Sequence, residues 1–256
     1  RRRANVIPAS RKMKTTTHNH ISPELLEHFD TFQSRRGLLR LSLNFSVRRI
    51  ALKWIIRSAD VSKRTFDVIG SGAALLLLTP PLIIIGALIR LDGGPAFFAQ
   101  TRVGRYGRIF KMFKFRSMRP DAEKLLVALL AANKHKEGIT FKIKDDPRVT
   151  KIGRWLRRFS LDELPQFYNV FRGDMSLVGP RPPVPREVAL YSLADRRRLS
   201  VKPGITCIWQ ISGRAEIDFP GQVRLDVNYI ESQSLGQDIK ILARTPRAVV
   251  FGPGAY

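Results

Sequence analysis

The period of apolar and polar residues changes several times along this chain, and each change predicts an element. From Leu39 to Val47 apolar residues alternate with Arg40, Ser42, Asn44 and Ser46, the period of a strand. From Ile50 onward, Ile50, Trp54 and Arg57 fall at helical spacing instead. The run from Val68 to Ile89 contains no charged residue; at 1.5 Å rise per residue a straight helix of that length reaches ~33 Å, about the hydrocarbon thickness of a bilayer. A buried core helix is the plainer alternative. After Gly93-Gly94-Pro95, two strand-like runs flank a turn at Gly104 to Gly107, and Phe113 and Phe115 alternate with Lys114 and Arg116. This predicts a β-hairpin with one basic face. Residues 121 to 132 read as an amphipathic helix. Asp145-Asp146-Pro147 predicts a turn and helix start, after which Ile152, Trp155, Leu156 and Phe159 share one helical face, with Lys151, Arg154, Arg157 and Arg158 on the others. Gly173 to Pro185 reads as loop, Lys202-Pro203-Gly204 as a turn and residues 222 to 233 as helix. No repeat of solenoid period occurs.

The apolar run is not a simple span. Thr79-Pro80-Pro81 stands at its centre, where two prolines remove two amide donors and crowd the preceding turn. Both flanks are basic, with Lys63 and Arg64 before and Arg90, Arg102, Arg105, Arg108, Lys111 and Lys114 after. The positive-inside rule puts both on the cytoplasmic side. A helix that enters, breaks at Thr79, Pro80 and Pro81 and returns satisfies that; the hydroxyls of Thr79 and Ser71 are the local donors for carbonyls freed at such depth.

Upstream, Arg1 to Lys14 is basic and polar without an apolar core, so it does not read as a secretory signal. Opening on Arg1 rather than Met suggests a fragment or processed product. Ser22-Pro23-Glu24 resembles a helix start, soon interrupted at Gly37. Residues 1–61 are read as a basic adaptor segment and 62–256 as the functional domain, with residues 68–89 as the re-entrant helix.

Composition sharpens this picture. The 256 residues carry 45 Lys and Arg against 21 Asp and Glu, a formal charge of +24. Such a chain suits an anionic partner: nucleic acid, an anionic membrane face or a phosphorylated substrate. The 44% hydrophobic content excludes a wholly disordered basic tail. Cys207 is alone, which excludes an intrachain disulfide and a multi-cysteine zinc site and fits a reducing compartment. His18, His20, His28 and His135 show no paired metal-ligand spacing.

Two constellations can carry chemistry. In Arg157-Arg158-Phe159-Ser160-Leu161-Asp162-Glu163-Leu164-Pro165, Ser160 and Glu163 stand at the spacing of a helix capping box before an apolar run. The same residues offer a carboxylate at a helix start, where the ionised form and phosphate are both favoured. An ionised Asp162 beside arginines could attack phosphorus to form an acyl phosphate. Both readings can hold together. In Gly173-Asp174-Met175-Ser176-Leu177-Val178-Gly179-Pro180-Arg181-Pro182, glycines and prolines fix the backbone and leave Arg181 either as a two-pronged phosphate donor or as an ordinary loop arginine.

Taken in order, KRTFD (Lys63 to Asp67), the proline-bearing apolar segment, FKMFKFRSM, SLDELPQFYNVFRGDMSLVGPRP, VKPGITCIWQISGR and LDVNYI closely resemble the bacterial sugar transferases that are monotopic phosphoglycosyl transferases. The resemblance covers roughly Ser62 to Tyr256 and leaves residues 1 to 61 outside. It implies transfer of a sugar 1-phosphate from a UDP-sugar to undecaprenyl phosphate, with release of UMP, as the first membrane step of exopolysaccharide or other surface-glycan synthesis. Asp162 matches the family's nucleophile and a ligand of its Mg2+. Glu163 matches the second acid of the dyad, which handles the acceptor's proton. Lys114, Arg157 and Arg181 match phosphate-binding positions, and Asp238 a supporting acidic position. The resemblance further implies the cytoplasmic face of a bacterial inner membrane, contact with its anionic leaflet, no nucleic acid, and room for a homo-oligomer. A hexose such as glucose or galactose follows only from resemblance to longer members, which carry further segments upstream. Smaller members often have Ser-Pro at the membrane break; here it is Thr79-Pro80-Pro81.

The fold expected is α+β: a re-entrant membrane helix broken at Pro80-Pro81, amphipathic interfacial helices and a small β-hairpin. A nucleic-acid-binding protein would explain the charge but not the apolar run. A non-catalytic membrane assembly protein would explain charge and run but has no use for Asp162-Glu163 among arginines. Trp155, Phe159 and Trp209 are assigned to core packing or the membrane interface rather than to base stacking.

Overall fold

The computed structural model describes residues 35–91, 93–122, 124–125, 146–213 and 216–251. The chain divides into two units, Arg1–Arg57 and Ser58–Tyr256. In the first, the described residues 35–57 are helical. The helix start read at Ser22 and the four histidines lie outside the described residues, as does most of the helix read at 121 to 132.

Helix α1 runs Arg35–Leu91. It takes in Leu39 to Val47, where alternation predicts a strand. Leu and Arg are strong helix formers, and extending an existing helix by one residue is far easier than nucleating one, so a short alternating stretch follows its neighbour. The helical backbone also continues through Pro80 and Pro81, where the sequence predicts a break. A proline withdraws only its own amide from the ladder, and flanking turns can hold helical dihedrals across the gap. Thr79 Oγ1 donates to Leu75 O at 2.7 Å and Ser71 Oγ to Asp67 O at 2.6 Å. Each hydroxyl thus serves the carbonyl one turn before it, not those of Leu76 and Leu77, which the prolines leave without an amide.

Within the second unit, Ser58–Leu91 is long and apolar enough to cross a membrane by length and composition; its apolar 18-residue stretch has a mean hydropathy of 2.3 and is 17% buried. One stripe packs inward: Asp67, Ser71, Ile85 and Ile89 are buried, while Leu76 and Leu77 stand 79% and 78% exposed.

Strands β1 (Phe97–Val103) and β2 (Ile109–Phe115) form the expected antiparallel hairpin, with Phe97 opposite Phe115 and Val103 opposite Ile109. Its faces differ from the expected basic one. Lys114 shares a face with Phe110 and Met112, which are buried, so the pleat carries its ammonium inward. Helix α2 (Lys151–Arg158) is capped by Thr150, whose side chain accepts from Gly153 N, rather than starting at Asp145-Asp146. A Cβ on Gly153 would lie 1.9 Å from Ser117 O. Only glycine lets α2 approach the end of β2 this closely.

A three-residue 3-10 turn (Leu161–Glu163) leads to α3 (Gln166–Arg172). Inside the stretch read as loop, β3 (Ser176–Val178) pairs in parallel with β4 (Gly204–Thr206). Three residues each are too few to show a period. Short helices α4 (Pro185–Ala189) and α5 (Ile208–Ser212) precede α6 (Phe219–Glu231) and α7 (Leu235–Phe251).

The core has two parts. Phe110, Met112, Val170, Met175, Leu177, Val178, Tyr229 and Ile241 join the hairpin to β3, α3, α6 and α7. Ile85, Ile89, Phe115 and Leu156 join the later part of α1 to β2 and α2. The earlier part of α1 is tied by polar groups. Arg64 donates to Val170 O at 2.6 Å and Phe171 O at 2.7 Å, meeting carbonyls at the end of α3. Asp67 Oδ1 accepts from Ser176 Oγ at 3.0 Å and Leu177 N at 2.9 Å. Trp209 is buried, while Trp155 stands 54% exposed with its ring 5.5 Å from that of Phe159.

Candidate active site

Four chain segments converge on one cavity of about 990 Å³, whose lining includes Lys114, Arg157, Asp162, Glu163 and Arg181. Lys114 comes from β2, Arg157 from the last turn of α2, the acidic pair from the 3-10 turn and Arg181 from the segment after β3. Ser160 makes the corner. Its φ of 53° and ψ of 23° are left-handed, and its side chain caps nothing. The capping-box spacing is therefore not used as one: Glu163 N donates to the backbone Ser160 O at 3.2 Å. A non-glycine residue in this region is strained by on the order of 1 kcal/mol. Here the strain buys a sharp turn that sends the Asp162 and Glu163 side chains into the cavity.

The two carboxylates sit differently. Glu163 Oε1 accepts from Lys114 Nζ at 2.8 Å and lies 3.5 Å from Arg181 Nη1. Burial alone would raise its pKa, but Lys114 and Arg181 outweigh burial and hold Glu163 down at about 2. Asp162 is 8% exposed, and among the described residues none donates a hydrogen bond to its carboxylate. Burial pushes its pKa up, against the pull of Lys114. Lys114 is itself lowered by burial, and so is Arg157, whose Nε donates to Ser117 Oγ at 2.9 Å.

Asp238 stands elsewhere. It is fully buried, receives Lys63 Nζ at 2.6 Å and has the Tyr229 hydroxyl 2.7 Å from its Oδ1. Burial, then Asp238 itself, pushes the Tyr229 phenol well up. Lys63 and Tyr229 also reach Val178 O, at 3.2 and 3.0 Å. The cavity lining does not include Asp238; it ties α1 to β3 and the later helices. Thr79, Pro80 and Pro81 lie on α1, outside the cavity lining.

Sequence reasoning missed several residues that build the site. Arg102 on β1 donates to Pro182 O at 2.7 Å, beside Arg181. Asn169, fully buried, accepts from Phe113 N at 2.9 Å and donates to Lys111 O at 2.7 Å, fixing β2 on α3. Arg198 and Asp226 form a buried ion pair at 2.7 Å, with the Arg198 guanidinium 5.6 Å from the Phe219 ring, and both Arg198 and Phe219 line the cavity. A lone Arg in a strand or Asn in a helix carries no sequence pattern to announce it.

No cluster of three or more His, Cys, Asp or Glu side chains placed to hold a metal occurs among the described residues. The donor set still fits Mg2+ of one kind. Mg2+ is commonly bound through one or two carboxylates with substrate phosphates and water completing its shell, and Asp162 offers a carboxylate with no hydrogen-bond donor on it.

A buried acidic pair ringed by lysine and arginine, served by an apolar helix, suits phosphate chemistry at a lipid surface. Comparison with known proteins gives the arrangement its family. The chain is 49% identical over 228 residues to galactosyl transferase CpsE of Streptococcus agalactiae, covering 89% of this chain and 50% of that protein. It is 43% identical over 206 residues to undecaprenyl-phosphate galactose phosphotransferase of Salmonella typhimurium, covering 78% of this chain and 43% of the relative. Against exopolysaccharide production protein ExoY of Sinorhizobium fredii identity is 40% over 200 residues, 77% of this chain and 88% of the relative. The chain thus spans about half the length of the first two relatives. Residues 58–252 match the family model described as bacterial sugar transferase, and the chain belongs to that family.

Proposed function

We propose that the chain transfers a sugar 1-phosphate from a UDP-sugar to undecaprenyl phosphate, releasing UMP, in exopolysaccharide or related glycan synthesis. The observation that carries this reading is the unequal pair: Glu163 satisfied by Lys114 and Arg181, and Asp162 beside it without a donor. An Asp162 oxygen attacks the phosphorus that bears the sugar. The new bond joins Asp162 to phosphorus, and the bond from that phosphorus to the bridging oxygen breaks, so UMP leaves with the electron pair. A phosphate oxygen of undecaprenyl phosphate then attacks the same phosphorus and frees Asp162. Lys114, Arg157 and Arg181 orient the phosphates and offset charge that grows on the leaving oxygen. Glu163, as the partner of Lys114 and Arg181, sets where those cations stand, and the acceptor's phosphate attacks as its dianion, with no proton to pass on. Mg2+, with Asp162 as its protein ligand, would neutralise the diphosphate.

The apolar segment at residues 68–89 serves in this reading as a re-entrant anchor on the cytoplasmic face of the inner membrane, keeping the cavity at the depth of the acceptor's phosphate. Basic side chains near an anionic leaflet add about 1 kcal/mol each. Relatives named for galactose and glucose phosphotransfer support a hexose donor.

The test is UMP release across a panel of UDP-sugars with undecaprenyl phosphate, beside intact mass after incubation with donor alone. Asp162→Asn should remove both turnover and the mass of the covalent phosphosugar while the protein stays folded. Near-normal UMP release by the variant would refute the assignment.

A further inference from the structure

We infer that Arg102 is a positioning residue for the phosphate site: from behind the segment Gly179 to Pro183 it fixes the backbone that presents Arg181. The inference rests on the transfer reading above only for its kinetic consequence; its geometric basis is independent.

Residues 180, 182 and 183 are proline, so this segment has amide donors only at Gly179 and Arg181 and cannot hold its own carbonyls. Outside groups do so. On one side Gly179 N donates to Thr206 O at 3.0 Å and Gly204 N to Pro180 O at 2.9 Å. On the other, Arg102 Nη1 donates to Pro182 O at 2.7 Å and Val103 N to Pro183 O at 3.0 Å. Backbone on both sides of Arg181 is thus bonded to a strand, and its side chain is left to reach Glu163 and the cavity. Arg102 supplies the bond nearest to Arg181 on the β1 side.

The guanidinium is itself held in place. Its Nε and Nη2 both donate to Gln100 Oε1, at 3.1 and 2.7 Å, and the residue is 8% exposed. Among the described residues it forms no ion pair, so a buried cation is kept with neutral partners alone. A fold seldom tolerates this, and it is explained if the charge serves the anion site in front. Arg102 borders a small space together with Lys114, Glu163 and Arg181. Burial, then repulsion from Arg181, lowers it to about 10, which leaves it protonated at neutral pH. Lysine cannot replace it, because a single ammonium on a flexible stem does not span Pro182 O and Gln100 Oε1 in one plane.

The experiment is a double-mutant cycle on the full 256-residue chain in detergent, with Arg102→Lys, Arg102→Ala, Arg181→Ala and the combinations. Two quantities are measured beside thermal unfolding: kcat/KM for UMP release, and the affinity for inorganic pyrophosphate by calorimetry. Arg102→Lys keeps the charge and serves where Arg102→Ala fails to fold. It should lower kcat/KM about 100-fold, as a misplacement on the order of 1 Å does, and weaken pyrophosphate binding about tenfold. In the Arg181→Ala background it should add less than about threefold to either, since the two residues act as one unit. Losses that multiply, or recovery of wild-type values by Arg102→Lys, would overturn the inference. A wild-type chain that binds pyrophosphate but releases no UMP from any donor would refute the transfer reading instead, and the pyrophosphate cycle would still decide on Arg102.

Discussion

Replacing Lys63 by methionine should strongly destabilise the unit that holds the cavity. Lys63 Nζ meets Asp238 Oδ2 at 2.6 Å, and the side chains are 17% and 1% exposed. The same ammonium reaches the Tyr229 hydroxyl and Val178 O, each at 3.2 Å. Methionine keeps most of the stem's packing but leaves the Asp238 carboxylate buried with Tyr229 as its remaining partner. Breaking a buried pair from one side costs about 3–5 kcal/mol. For a unit of this size each kcal/mol moves the melting temperature by about 2–4 °C, so the expected fall is roughly 6–20 °C. Circular dichroism in one detergent at one scan rate measures it. The double variant Lys63→Met, Asp238→Leu removes both charges and should recover most of the loss, because an apolar pair of similar volume replaces a buried ion pair at little cost. A fall below about 3 °C, or a double variant whose losses simply add, would show that Lys63 is solvated and that Asp238 does not depend on it.

Arg181→Ala should lower kcat far more than the melting temperature, because the segment that carries it is held by β1 and β4 through backbone groups; a large melting shift with unchanged kcat would make Arg181 structural. Glu163, held at about 2, contributes ion-pair stability that is fully present above the ordinary glutamate range near 4.5 and lost as pH falls toward about 2. Glu163→Gln should therefore leave the slope of melting temperature unchanged between about pH 6 and 8 and flatten it below about 4.5; a changed slope near neutrality would contradict the pairing. With Cys207→Ser as background, single cysteines at Ser62 and Gly93 should resist an impermeant thiol reagent on intact spheroplasts. Labelling of one flank alone would mean a true span.

Much of this architecture is legible in the sequence, for identifiable reasons. The hairpin announces itself through alternation over two strands of seven residues and a glycine turn, and the apolar run through its length. The acidic pair and its arginines stand out because a charged cluster next to an apolar run is unusual, and Lys114, Arg157, Asp162, Glu163 and Arg181 do meet at one cavity. What failed was inference from spacing to local geometry. Ser160 and Glu163 have capping spacing, yet Ser160 turns left-handed and caps nothing. Leu39 to Val47 alternates, yet its position in a long helix decides its state. Asp238 matches a supporting acidic position by motif order, and the packing of α7 shows which partner it holds, Lys63. The parallel pairing of β3 with β4, and Arg102 behind the proline-rich segment, depend on contacts between residues far apart in sequence.

The two attachments of the apolar segment bear on different halves of the cavity. Its earlier part is bonded to β3, through Asp67 to Leu177 N and Lys63 to Val178 O, directly before the segment that carries Arg181. Its later part meets β2 and α2: Ile89 O accepts from Arg116 at 3.0 Å, and Ile85 and Ile89 pack on Phe115 and Leu156, beside Lys114 and Arg157. Pro80 and Pro81 lie between these attachments. Any change in helix path at the prolines therefore shifts the Arg181 half of the cavity against the Lys114 half, and Glu163, which bonds to both, registers the shift. Replacing both prolines by alanine restores two amide donors and relieves a penalty of about 3 kcal/mol per interior proline, and the helix path that follows from the restored ladder is felt at one attachment or the other. The double variant should then melt no lower than wild type and yet turn over more slowly in detergent, where no leaflet constrains the anchor. Unchanged turnover in detergent would mean that the two attachments move independently of the cavity and that the prolines matter only for how the segment sits in a membrane.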